Sequence, residues 1–234
     1  MKQALRRIAS SWPVLRVLEV LDRRMENRMT EFGMIAQAFE FKKINAVEGD
    51  YFEFGTWRGK TLLYAHKMKR RYRTDDLVLR GFDSFQGLPA HEDSQDNVWH
   101  EGQFACSEDT LRRILRRAGV RDSEVELTKG FYSESLNETL DERLAGARAA
   151  IVYIDCDLYE STRDVLRFIG KYLVNGSIVC FDDYFNNRGA PDQGEARALK
   201  EFLAANGDLQ FLPYFAYAPL GQSFIVRRAE PGQS

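Results

Sequence analysis

Cysteine is scarce in this chain, with three among 234 residues. Cys106, Cys156 and Cys180 are odd in number and follow no metal-type spacing, so no disulfide framework or thiolate metal site is expected. Cys156 and Cys180 lie in or beside apolar runs, which reads as packed thiols in a reducing cytoplasm. Long apolar runs are missing as well; none approaches the ~20 residues that a membrane span needs. The basic N-terminus lacks a continuous apolar stretch and a small-residue cleavage site, so no signal peptide is expected. Neither charge is in clear excess: 33 Lys and Arg face 35 Asp and Glu. That balance removes any general electrostatic argument for a nucleic-acid partner. Internal repeats and low-complexity segments are absent.

What the chain does have is a pair of apolar runs tipped with acid. Ile151-Val-Tyr-Ile154 is followed by Asp155 and Asp157, and Ser177-Ile-Val-Cys-Phe181 by Asp182 and Asp183. Short runs rich in β-branched and aromatic residues read as buried strands. The helical stretch between them fits a crossover between parallel strands. Parallel neighbours end side by side, so four carboxylates are expected at one sheet edge. Such carboxylates raise one another's pKa, and a hard divalent cation with oxygen ligands is the simplest compensation.

The remaining elements follow from periodicity. Residues 2–27 read as an amphipathic helix, bent at Pro13, with seven Lys/Arg against three acids over residues 1–30, a net of +4. This helix is either a membrane-surface or partner helix, or one packed on the domain or on a second subunit. Acids interrupting its basic face favour packing, and a homo-oligomer through these helices is the corresponding partner expectation. A second helix spans 30–45. Strands are expected at 50–54, 77–82 and 124–128, and helices at 60–71, 108–118 and 133–144. The crossover helix spans 159–172 and a late helix 195–206. Residues 209–217 and 222–228 read as a closing antiparallel pair. Residues 84–106 form a long loop of the kind that is usually functional. Strands alternating with helices predict an α/β, doubly wound Rossmann-like sheet of seven strands with its last pair antiparallel. The expected division is an N-terminal helical extension over 1–48, one domain over 49–228 and a loose tail over 229–234. Folds of this class bind ligands beyond the carboxyl ends of their strands, where the motifs fall.

Glu53-Phe-Gly-Thr-Trp-Arg-Gly59 is a strand, a turn with two glycines and a helix start. Gly55 and Gly59 allow a ligand close to the backbone, but the three-glycine dinucleotide fingerprint is missing. Glu53 suits a cationic or amine-bearing ligand better than a pyrophosphate. Asp83, at the second strand tip, is placed to accept from ribose hydroxyls or to cap a turn. Asp157, just before the crossover helix, has the alternative reading of a helix N-cap.

The motifs E-F-G-T-W-R-G-K-T, F-D-S-F-Q-G-L-P, I-D-C-D-L-Y-E-S-T and F-D-D-Y, in this order between about residues 49 and 202, resemble the macrocin O-methyltransferase family. That family comprises class I enzymes that use S-adenosyl-L-methionine and Mg²⁺ to methylate sugar hydroxyls, largely on natural-product glycosides. The resemblance implies that Glu53, Gly55, Thr56 and Gly59 serve the methionine end of the cofactor. It likewise implies Asp83 and Ser84 at the ribose, Gly130 and Phe131 beside the adenine, and Asp155, Asp182 and Asp183 on the metal. A similar acid pattern occurs in catechol and caffeoyl-coenzyme A methyltransferases, which carry asparagine where this chain has Asp183. Their catalytic lysine position is occupied here by Leu158. The base is therefore expected to be Asp155 or Asp157, with His91 or His100 in reserve. A catechol, phenolic or other small polar acceptor is the enzymatic alternative to a glycoside, and a nucleotide-binding regulatory subunit the non-enzymatic one.

Overall fold

Among the described residues, seven strands, numbered in chain order, make one sheet in the order β3-β2-β1-β4-β5-β7-β6. The computed structural model describes residues 30–90 and 99–229. The expected helix at 2–27 and the tail from 230 lie outside them, as does His91. The elements that build the site are β1 (Asp50–Phe54), α2 (Lys60–Tyr72) after the helix α1 (Glu31–Ile44), β2 (Leu79–Asp83) and α3 (Glu108–Arg117). They continue with β3 (Val125–Lys129), the short helices α4 (Tyr132–Ser135) and α5 (Glu138–Arg143), β4 (Ala149–Ile154) and α6 (Tyr159–Ile169). The chain closes with β5 (Leu173–Phe181), α7 (Gly194–Ala205), β6 (Leu209–Tyr217) and β7 (Gly221–Arg228). β1 to β5 pair in parallel, while β7 runs antiparallel to both β5 and β6.

β4 is buried along its whole length, and its alternation sorts the two cores. Ile151 and Tyr153 pack with Met34, Ile35 and Phe39 of α1, Leu62 and Met68 of α2 and Leu111 of α3. Val152 and Ile154 face the other way, against Val165, Leu166 and Ile169 of α6 and Leu199 and Phe202 of α7. Residues of period two thus meet helices on both sheet faces, the reason such strands read as continuous apolar runs. From residue 30 on, the stretch assigned to an extension is packed into the same core as the sheet. Thr30 caps α1, its hydroxyl accepting from the Gly33 amide at 3.3 Å.

Three of the boundaries that differ from expectation have a clear local cause. β5 starts at Leu173 rather than Ser177, because Leu173 pairs with Ala149 and the Asn175-Gly176 step is a bulge inside the strand. Ser177 secures that bulge, donating to the Ala149 carbonyl at 2.6 Å and accepting from the Val174 amide at 2.8 Å. The helix expected over 133–144 divides into α4 and α5, since Asn137 caps a new start by accepting from the Leu140 amide. The ladder of β2 begins at Leu79, which pairs with both Tyr51 and Val125. Cys156 and Cys180 are buried and free, as expected, and Cys106 is buried and free as well. No helix among the described residues is long and apolar enough to cross a membrane.

Candidate active site

The ends of β1, β2, β4 and β5 border a cavity of about 680 Å³. The register brings these ends level, with Phe54 beside Phe82 and Ile154, and Ile154 beside Phe181. One further amide of the ladder forms beyond β4 and another beyond β5. Asp155 N donates to Phe54 O and Asp182 N to Ile154 O, each at 2.9 Å. The backbone therefore delivers the acids to the cavity wall before the strands diverge.

Gly55, Asp83, Ser84, Gly130, Phe131, Asp155, Asp157, Asp182 and Asp183 all line this cavity. Glu53, Thr56 and Gly59 do not, although the resemblance implies them at the cofactor. Glu53 is fully buried behind the loop. Its carboxyl accepts from the Tyr51 hydroxyl at 2.5 Å and from Thr61 Oγ1 at 2.9 Å, and desolvation raises its pKa to about 8. Thr56 is turned towards Asp83, and a Cβ on Gly59 would meet Leu111 of α3. Gly55 has φ +91°, and a Cβ there would lie 1.8 Å from the Asp155 carbonyl oxygen. This glycine is therefore required by the crossing of two backbones, ahead of any ligand.

Asp83 fastens two loops. Its Oδ2 accepts from the amides of Thr56 and Trp57, each at 2.8 Å, and from Thr56 Oγ1 at 3.2 Å. Its Oδ1 accepts from the Phe85 amide at 2.7 Å. A carboxylate has roughly four acceptor positions over two oxygens, so Oδ1 retains capacity for a ligand hydroxyl. Ser84 Oγ bridges its own turn, donating to Gly87 O and accepting from the Gln86 amide.

Opposite them stand the acids. One carboxylate oxygen each from Asp155, Asp157 and Asp183 lie within 4.8 Å of one another. Asp182 is on the same wall but accepts a short hydrogen bond from the Tyr153 hydroxyl, and it is not part of that trio. The gathered set thus differs from the expected one by Asp157 in place of Asp182. Burial first, then the Asp182 and Asp157 charges, pushes the Asp155 carboxyl well up. Burial and Asp183 raise Asp157 to about 8, and burial with Asp182 raises Asp183 to about 6. Asp157 and Asp183 lie close enough to influence one another's ionisation, as neighbouring carboxyls do. An all-oxygen, mutually repelling donor set of this kind fits a hard divalent cation.

Asp157 adopts φ +62°, a left-handed conformation that aspartate tolerates better than most residues. It does not cap α6: the N-cap is Leu158, which is buried and carries no side-chain cap. Of the alternative bases, His100 is exposed and does not border the cavity. α6 adds residues that strand-tip motifs do not announce: Glu160, Arg163 and Asp164 face the cavity. Their i, i+3, i+4 spacing is a helical face, a signal available once α6 is aimed at the strand ends. Trp57, Phe104 and Trp99 form a chain of rings along another wall, at 5.6 and 5.5 Å between neighbours.

A family profile described as Macrocin-O-methyltransferase (TylF) matches residues 1–207. Among relatives, an 8-demethyl-8-(2,3-dimethoxy-alpha-L-rhamnosyl)-tetracenomycin-C 4'-O-methyltransferase from Streptomyces olivaceus is 27% identical over 186 residues. The match covers 76% of this chain and 67% of the relative. A demethyldecarbamoylnovobiocin O-methyltransferase from Streptomyces niveus is 28% identical over 190 residues, 78% of this chain and 68% of the relative. The solved structure of a calicheamicin methyltransferase superposes with a TM-score of 0.70 at 24% identity, covering 95% of this chain and 90% of that one. At that identity the likeness establishes the fold.

Proposed function

The chain belongs to the macrocin O-methyltransferase family, and from that premise we propose that it methylates a sugar hydroxyl of a glycosylated natural product. The methyl donor in this reading is S-adenosyl-L-methionine, and Mg²⁺ assists. The observation that carries the reading is one cavity bordered by both halves of the machinery. Gly55, Asp83, Ser84, Gly130 and Phe131 line it with Asp155, Asp157, Asp182 and Asp183. The tetracenomycin relative carries a rhamnosyl group in the name of its acceptor, which favours a sugar over a phenol as acceptor.

The cofactor supplies an electrophilic methyl group, and a bound cation supplies Lewis acidity that makes an acceptor hydroxyl more acidic. Asp155 and Asp183, common to the expected and the gathered acid sets, would hold the cation, with the Asp182 oxygen not engaged by Tyr153 completing the set. Asp157 is then the base. It faces the cavity beside Asp155 and Asp183. It takes the hydroxyl proton as the oxygen attacks. Asp83 holds the two loops against which the ribose would rest.

Calorimetry with S-adenosyl-L-methionine, paired with methyl transfer to glycoside acceptors, tests this. We expect cofactor binding with or without EDTA, and turnover that EDTA removes and Mg²⁺ restores. Asp157→Asn is expected to lower turnover by about 10²- to 10⁴-fold at unchanged cofactor affinity. A chain that binds no cofactor would overturn the reading.

A further inference from the structure

A fifth acid stands behind the cluster. Glu195, in the first turn of α7, is 1% exposed and does not line the cavity. Its Oε2 accepts a hydrogen bond from the backbone amide of Asp183 at 3.0 Å. Its Oε1 has no hydrogen-bond partner among the described residues. Burying a carboxyl with one oxygen unpartnered is costly, so its single contact is informative.

That contact falls where the sheet stops providing partners. The β5–β7 ladder ends with Phe181 opposite Gln222, and the Asp182 amide is taken by Ile154 O. Asp183 is thus the first residue of the acidic pair whose amide has no acceptor in the sheet. Its carbonyl accepts from the Asn186 amide at 3.0 Å, while Phe185 N donates to Leu220 O at 2.8 Å. Glu195 reaches back across twelve residues to close the remaining side of this turn. A helix N-terminus is a favourable mount for an acid, and α7 itself is fixed by Ala198, Leu199 and Phe202 in the core.

We propose that Glu195 is a positioning residue: through the Asp183 amide it fixes the turn that aims the Asp183 carboxylate at Asp155 and Asp157. It touches neither acceptor nor cofactor. The inference rests on the reading of the acid cluster as a cation site. Groups that orient metal ligands commonly change metal affinity by about 10- to 100-fold when removed.

The test compares the full chain with Glu195→Met, Glu195→Gln and Asp183→Ala. Mn²⁺ serves as the probe, followed by paramagnetic resonance, and cofactor affinity and circular dichroism report on folding. Glu195→Met keeps the length but offers no acceptor. It is expected to weaken Mn²⁺ binding by about 10- to 100-fold and to speed hydrogen exchange at the Asp183 amide, with cofactor affinity retained. Glu195→Gln keeps an acceptor oxygen and is expected to restore both readouts. Mn²⁺ affinity lost in Asp183→Ala but retained in Glu195→Met overturns the positioning role alone. Equal weakening in the Gln and Met variants also overturns it, because charge rather than the hydrogen bond would then matter. A Met variant that fails to fold leaves the Gln variant to decide: wild-type affinity and exchange support the role, and weakened affinity overturns it. Absence of Mn²⁺ binding by the unaltered chain overturns the cation reading, and this proposal with it.

Discussion

Glu53 separates what a residue type suggests from what its surroundings make of it. As a sequence position it offers an anion beside a glycine turn. In the fold it is sealed behind that turn with Tyr51 and Thr61, and burial lifts its pKa from 4.5 to about 8. The consequence for stability has a definite sign. Between those two values the folded chain holds a proton that the unfolded chain has released. The contribution is thus fully present below pH 4.5 and is lost as pH rises through 8. The slope from this one group is at most roughly 1.4 kcal/mol per pH unit. Glu53→Gln, isosteric and unable to ionise, is expected to lose less stability than the wild type between pH 5.5 and 7.5. Urea midpoints measured without cofactor or metal check this, and parallel curves for the two proteins would refute the assignment. Asp83 makes the complementary point. Its tip position was legible in the sequence, but its four protein donors were not, because they come from loops 26 to 27 residues upstream and two residues downstream.

At the scale of elements, periodicity located most strands and helices within a few residues, because alternate burial against two helical layers leaves continuous apolar runs. It failed where a side chain rather than a pattern sets the boundary, as at Asn137, which starts α5, and at Ser177, which ties a bulge within β5. The Gly55 turn shows the reverse case, a residue read for ligand access whose first duty is packing. Gly55→Ala would force a Cβ into the Asp155 carbonyl at an unfavourable φ. We expect a loss of about 2–5 kcal/mol from strain and overpacking together. Gly146→Ala, with φ +81° and nothing within 4 Å, is expected to cost only about 1–2 kcal/mol. Equilibrium denaturation of the pair checks the difference, and equal losses would show that the close backbone crossing is not what demands glycine at Gly55.

For the whole molecule, the sheet edge concentrates acids that burial and one another's charge keep hard to ionise. Asp155, Asp157, Asp182, Asp183 and Glu195 all have their pKa raised, with burial the leading cause. A cation that binds only the folded chain adds about 2.7 kcal/mol at 100 times its Kd. For a chain of this size that is expected to raise Tm by roughly 5–10 °C. Thermal unfolding with Mg²⁺ and with EDTA measures the effect, and Asp155→Ala is expected to abolish it. An unchanged Tm in saturating Mg²⁺ would refute a cation at this edge.

The sequence alone determined the alternation of strands and helices, the antiparallel close and the gathering of acids at adjacent strand ends. Hydrophobic period and chain order suffice for these, since parallel strands joined by a crossover must end together. Only the tertiary structure decided which acids meet. Tyr153 takes up Asp182, a left-handed backbone turns Asp157 towards Asp155 and Asp183, and Glu195 arrives from α7 to hold the Asp183 amide. Those outcomes depend on side-chain direction and on contacts across the fold, which the order of residue types along a strand does not specify.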